Sequence, residues 1–227
     1  MNKVPPFIPQ IDGGLRKHII LMPECIQQAS GIRIFGKRIC SIIFSTDAAI
    51  IKNSNADAVI AVYPFTPQPA ISQAILHLAD VPVFCGIGGG TTTGVRVTRL
   101  AQDAEFRGAI GVVLNAPATN ETVRYVAERV DIPVVVTVVS EEEDVQSRLD
   151  AGAKILNVSG AGKTPDIVRA IRRKFPEVPI IATGGKTEES IIRTIEAGAN
   201  AITYTPPTTA ELFKDMMNRY REQLASK

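Results

Sequence analysis

The chain repeats itself, and the period limits what it can fold into. One set of apolar runs opens with proline: Val81-Pro82-Val83-Phe84, Ile132-Pro133-Val134-Val135 and Val178-Pro179-Ile180-Ile181. A second set opens on a small-residue turn: Ala56-Asp57-Ala58-Val59, Gly108-Ala109-Ile110-Gly111, Gly152-Ala153-Lys154-Ile155 and Gly198-Ala199-Asn200-Ala201. Gly108, Gly152 and Gly198 lie 44 and 46 residues apart by subtraction of their numbers. Each period holds two short apolar strands and two helical patterns. With Ile39–Phe44 added, the strands predicted are 39–44, 57–63, 82–86, 109–115, 133–138, 154–159, 179–183 and 200–205. Helices are predicted over 47–54, 68–79, 93–106, 120–130, 141–151, 164–175, 187–197 and 209–224. Crossovers of this length return the chain to a parallel neighbour. Eight such units closing on themselves make an α/β fold of the (β/α)8 TIM-barrel type. A doubly wound open sheet is the main rival, and it has no reason to show an even two-strand period.

Residues 1–37 fall outside the repeat and read as an N-terminal extension, either a barrel floor or a subunit contact. Pro5, Pro6 and Pro9 predict an extended start, Pro23 to Ala29 a short helix, and Ile32 to Phe35 a brief strand before Gly36. Residues 38–227 read as a single barrel domain. A chain of 227 residues with 45% hydrophobic content can bury one large core. The net charge is +2 and tryptophan is absent. With no basic stripe and no aromatic platform, nucleic acid is not an expected partner. The run Arg172-Arg173-Lys174 reads as the solvated end of a helix. No apolar run is long enough for a membrane span, and MNKVPPFIPQ lacks a signal peptide's apolar core. A cytoplasmic protein without a membrane partner, assembled as a homo-oligomer, is expected. Cys25, Cys40 and Cys85 are few and far apart, which suits reduced, buried thiols.

In such barrels function sits at the C-terminal ends of the strands. The stretch from Val178 to Pro207 is the most legible: strand, glycine turn, helix, strand, proline stop. Thr187 is the expected N-cap, and Gly198 ends the helix in a left-handed conformation. The turns after the seventh and eighth strands are where many barrels hold phosphate. Thr183, Gly184, Gly185 and Lys186 form one, with Thr205, Thr208 and Thr209 in the other. Bare amides beside a helix N-terminus suit an anion. The competing reading is that these glycines only make a tight turn. Glu188 and Glu189 are expected to face solvent. Gly88, Gly89, Gly90 and Thr91 form a second candidate loop, either approaching a ligand closely or acting as a lid. The plainer account has Thr91 or Thr93 capping the next helix.

For chemistry the strand ends offer Asp47, Tyr63, Asn115, Asn157 and Lys163. Asp47 reads equally as a general base or as a helix-start carboxylate. Tyr63 could donate a hydrogen bond, Lys163 could pair with an anion, and the two asparagines could orient a substrate or stabilise an oxyanion. No carboxylate pair or histidine cluster suggests a metal. His18 and His77 lie elsewhere, and Ser159 has no histidine partner for a hydrolase triad.

The segment GAKILNVSGAGKTPDIVRAIRRKFPEVPIIATGG, Gly152 to Gly185, resembles strand six through strand seven of the KDPG/KHG aldolase family. That resemblance implies an aldolase-type, phosphate-binding barrel of the ribulose-phosphate-binding kind. It aligns the family's Schiff-base lysine with Asn157, so imine chemistry at the usual place is not available. The same half also resembles FMN-using barrels of the nitronate-oxidising kind, which implies FMN as a cofactor; otherwise none is expected. The function expected is binding of a small phosphorylated molecule with lyase or isomerase chemistry, aldolase- or epimerase-like. The alternatives are an FMN-binding oxidoreductase-type barrel and a non-catalytic sensor. Hydrolase activity is not supported by these residues.

Overall fold

The computed structural model describes residues 18–225, together with Phe7, Pro9, Ile11, Gly13 and Gly14. The extended start expected at Pro5 and Pro6 lies outside the described residues. A two-stranded hairpin, β1 (Ile32–Ile34) and β2 (Lys37–Ile39), precedes the barrel. The barrel strands are β3 (Ser41–Phe44), β4 (Ala58–Ala61), β5 (Val83–Gly88), β6 (Gly111–Leu114), β7 (Val134–Val138), β8 (Ile155–Val158), β9 (Ile180–Thr183) and β10 (Ala201–Tyr204). They alternate with α1 (Ala48–Lys52), α2 (Pro69–Leu78), α3 (Val95–Phe106), α4 (Asn120–Ala127), α5 (Val145–Asp150), α6 (Thr164–Lys174) and α7 (Glu188–Glu196), and α8 (Thr209–Ala225) ends the chain. All eight barrel strands pair in parallel, and β10 closes on β3 with Ile202 opposite Ser41. The fold is the TIM barrel that the period predicts.

Differences from the expected boundaries have local causes. β5 runs on to Gly88 because the glycine loop bulges and re-enters the ladder, Gly88 opposite Leu114. α3 starts at Val95 with Gly94, at φ 61°, as its cap, so neither Thr91 nor Thr93 caps it. α5 starts at Val145 because Asp144 accepts from the Ser147 amide and fixes the helix start there. At α7 the expected cap holds: Thr187 and Ser190 form a reciprocal capping box, and Gly198 sits at φ 111°. Arg172 is not a solvated helix end. It is half-buried, and its guanidinium donates to the carbonyls of Pro176, Val178 and Gly198 and to Asn200 Oδ1. Only Arg173 and Lys174 of that run are exposed.

The hairpin was legible only in its first arm. Phe35 and Gly36, at φ 45° and 82°, form a two-residue turn of the kind that matches strand twist. Ile39 therefore belongs to β2 rather than to the first barrel strand. Ile32, Ile34 and Ile39 pack with inward-facing residues such as Ile42, Phe84 and Ile181, which makes the hairpin a floor to the barrel interior. Residues 24–28 form a 3-10 turn in place of the short helix expected at Pro23 to Ala29, and Ile26 is fully buried there. Phe84 fills the barrel centre with no exposure. It fits because residue 111 is glycine: a Cβ there would lie 2.8 Å from the ring. A second core lies between the outer faces of the strands and the helices.

All three cysteines are free and buried. Burial raises each thiol above its ordinary range, Cys85 to about 12. We therefore expect a thiol reagent at pH 8 to label none of them in the native protein and all three in denaturant. Fast native labelling would contradict the burial.

Candidate functional site

The C-terminal mouth is polar on one half of its circumference and apolar on the other. Inward-facing Thr137, Asn157, Thr183 and Thr203 come from β7 to β10, with Thr137 opposite Asn157 and Thr183 opposite Thr203 in the ladders. Phe44, Ile60 and Val62 face them from β3, β4 and the residue just past β4. Together they bound a cavity of about 240 Å³. The polar wall is partly self-satisfied. Asn157 Nδ2 donates to Thr137 Oγ1 at 3.2 Å, and the Thr183 hydroxyl donates to Ser159 Oγ at 3.3 Å. Among the described residues three buried side-chain oxygens have no partner: Asn157 Oδ1 and Thr203 Oγ1 on this wall, and Thr98 Oγ1 away from it on α3. Thr203 is only 5% exposed.

Two further hollows adjoin this cavity. One, of about 550 Å³, lies between Asp47, Tyr63 and Thr208; the other, of about 390 Å³, lies between Tyr63 and the loop containing Gly88, Gly90 and Thr91. Asn115 and Val62 border all three, so the hollows form one trough with Asn115 at its junction. The backbone there is tightly built. Asn115 donates its N–H to the Gly88 carbonyl, and a Cβ on Gly89 would lie 2.9 Å from both the N and the O of Asn115. Gly88 and Gly89, at φ 123° and 113°, thus let one loop rest on the other. Gly90 faces open space.

Arg148, on α5, braces the loop that follows Asn115. Its guanidinium donates to the carbonyls of Ala116 and Ala118, to Asn120 Oδ1 and to Glu143. The Arg148–Glu143 pair measures 2.8 Å, with side chains only 12% and 15% exposed. The sequence reading missed this residue, because one arginine in a helical pattern looks like a solvated charge.

Asp47 caps α1, accepting from the amides of Ala49 and Ile50 and from the Thr209 hydroxyl. The Thr209 hydrogen bond is the main cause that holds its carboxyl below the usual range, against a smaller opposing effect of burial. That makes it a weak base at neutral pH. Tyr63 accepts the Gln68 amide at 2.8 Å, which leaves its own proton for donation. Lys163 sits in an exposed 3-10 turn, Ala161–Lys163, and borders none of the three hollows.

The two candidate phosphate turns lie side by side, since β9 pairs with β10. Their donors are not all available. The Gly184 amide is bonded to the Thr203 carbonyl at 3.2 Å. At α8 the Thr208 amide and hydroxyl both donate to the Glu211 carboxylate at 2.7 Å, so that helix start supplies its own anion. These two bonds, then the Lys186 charge, lower the Glu211 carboxyl. Among the described residues, the amides of Gly185 and Lys186 have no backbone acceptor, and they stand at the N-terminus of α7. Gly185, at φ 82°, tolerates no Cβ: it would lie 2.4 Å from Ser190 Oγ. Glu188 and Glu189 are exposed.

No protein-family model and no curated protein sequence matches the chain. Solved structures do match. A 2,3-dimethylmalate lyase of the PEP mutase/isocitrate lyase superfamily superimposes with a TM-score of 0.62 at 12% identity, over 89% of this chain and 85% of that one. A phosphonopyruvate hydrolase in complex with oxalate and Mg2+ gives 0.59 at 16% identity, over 83% and 82%. A mandelate oxidase gives 0.63 at 17% identity, over 78% and 68%. At these identities the shared property is the barrel. The KDPG/KHG aldolase resemblance of Gly152 to Gly185 gains no support from these three. The residues of this mouth do not fit Mg2+. Among the described residues no group of three or more His, Cys, Asp or Glu could hold a metal ion, and Asp47 is already committed to three donors. Among the described residues, too, no helix is long and apolar enough to cross a membrane.

Proposed function

We propose that the barrel binds a small phosphorylated metabolite across this mouth and acts on it as a lyase or isomerase. The phosphate would rest on the Gly185 and Lys186 amides, which lie outside the three hollows and next to Thr183 at the edge of the inner cavity. The rest of the molecule would enter the cavity under Asn115. The observation that carries this reading is the pair of orphaned oxygens on Asn157 and Thr203. A buried polar atom without a partner costs roughly 1–3 kcal/mol, and such atoms persist where a ligand or water completes them. In this reading Asn115 and Asn157 orient and polarise a carbonyl, and the Tyr63 hydroxyl donates to a developing oxyanion. With asparagine at position 157, no imine forms there.

A second reading is a sensor that binds without turnover. It is favoured by the state of Asp47, which borders the largest of the hollows and is the one carboxylate among the described residues lining any of them; it already accepts three hydrogen bonds. The test is a thermal-shift series with sugar phosphates, FMN and inorganic phosphate on the wild type and Asn157→Leu. A rise in Tm with a sugar phosphate, reduced in the variant, is the expected result. No shift with any of these compounds would end the phosphorylated-ligand reading. Yellow protein absorbing in the flavin bands would replace it with FMN binding, and a ligand-driven change of oligomer without product by NMR would favour the sensor.

A further inference from the structure

Among the described residues, none that lines the inner cavity carries a charge of either sign. Lys163 and Lys186, the cations of the neighbouring loops, border none of the three hollows. A carboxylate placed at the bottom would lose its water and gain no counter-charge, which costs several kcal/mol. The unpartnered groups are of another kind. A threonine hydroxyl both donates and accepts, and an amide offers one or the other edge. They suit hydroxyl and carbonyl oxygens, which are equally two-sided. Asn157 and Thr203 stand on β8 and β10, with β9 between them, so the two orphaned oxygens are spread along one wall. Phe44 and Ile60 on the facing wall offer only carbon. A carbon chain with oxygens along one edge and C–H along the other matches both walls.

We propose that the inner end of the ligand is an uncharged polyhydroxylated chain, so that the protein selects sugar or polyol phosphates over phosphorylated carboxylic acids. This rests on the phosphate-binding reading above, and it goes further by assigning Thr203, a residue no motif pointed to, as a specificity determinant. Thr203 lies on a barrel strand with its side chain in the cavity and its carbonyl on Gly184, one residue before the proposed phosphate cradle.

The test compares glycerol 3-phosphate with 3-phosphoglycerate, which differ in the oxidation of one terminal carbon, alongside ribulose 5-phosphate and inorganic phosphate. Calorimetry on the wild type is expected to show the neutral-ended compounds binding at least about tenfold tighter than 3-phosphoglycerate. Thr203→Val keeps the shape and removes the hydroxyl. It is expected to weaken ribulose 5-phosphate by about tenfold, leave inorganic phosphate unchanged, and raise the Tm of the ligand-free protein by removing an unpaired polar group. A merely structural threonine would not give opposite signs for binding and stability. Gly185→Asp is expected to lose every phosphate compound. Equal or tighter binding of 3-phosphoglycerate would overturn this inference and leave the phosphate reading standing, as would an unchanged Thr203→Val. Failure of all four compounds on the wild type would remove both.

Discussion

Replacing Arg148 by leucine is expected to destabilise the barrel by about 3–5 kcal/mol. The substitution strands Glu143, 15% exposed, without its counter-charge. It also withdraws donors from the carbonyls of Ala116 and Ala118 and from Asn120 Oδ1. Those acceptors lie in the loop that follows β6 and carries Asn115 into the mouth, and at the first residue of α4. Urea unfolding should show the loss as a lower midpoint with an unchanged slope. The pair Glu143→Gln with Arg148→Leu should recover part of it, because the buried charge is gone. A loss below about 1 kcal/mol would put the pair with ordinary surface salt bridges. Ligand affinity should fall as well, since Asn115 borders each hollow of the mouth.

Phe84→Ala is expected to cost about 3–5 kcal/mol by emptying the barrel centre. The ring is fully buried between the hairpin floor and the upper cavity. Gly111→Ala attacks the same contact from the other side, with a Cβ only 2.8 Å from the ring. Each single change should destabilise. The combination Gly111→Ala with Phe84→Leu should be better than their sum, because the smaller side chain makes room for the methyl. Strict additivity in thermal unfolding would mean that the two residues do not share the space the structure gives them. The mouth should still bind ligand in these variants at temperatures where they are folded, which separates the floor from the site.

Much of the barrel was legible because its signals are local and repeated. An apolar run opened by proline or by a glycine turn marks a buried parallel strand without reference to the rest of the chain. Asn115, Asn157 and Thr183 were found the same way, as polar residues where apolar strands stop. What escaped depends on distant partners. Thr203 reads as an ordinary strand threonine until its side chain is seen to line the cavity with a buried hydroxyl oxygen that has no partner. Arg172 reads as a solvated charge and Arg148 carries no signal at all, because carbonyls from other loops are invisible in their own windows. The Gly184 amide looked free because its acceptor belongs to the next strand. Asp47 was ambiguous in sequence, and the deciding neighbour, Thr209, is 162 positions away. Lys37 and Arg38 hid the second arm of the hairpin, since exposed basic residues carry no strand signature of their own.

The seam between β3 and β10 bears on how this chain comes off the ribosome. Ser41 to Phe44 emerge early and find one neighbour in β4, but their other side stays bare until Ala201 to Tyr204 have been synthesised. The hydroxyl of Thr209 reaches Asp47 just beyond that join, fastening the segment after the last barrel strand to the segment after the first. Until that last strand has arrived, the others can form only an open sheet with two raw margins.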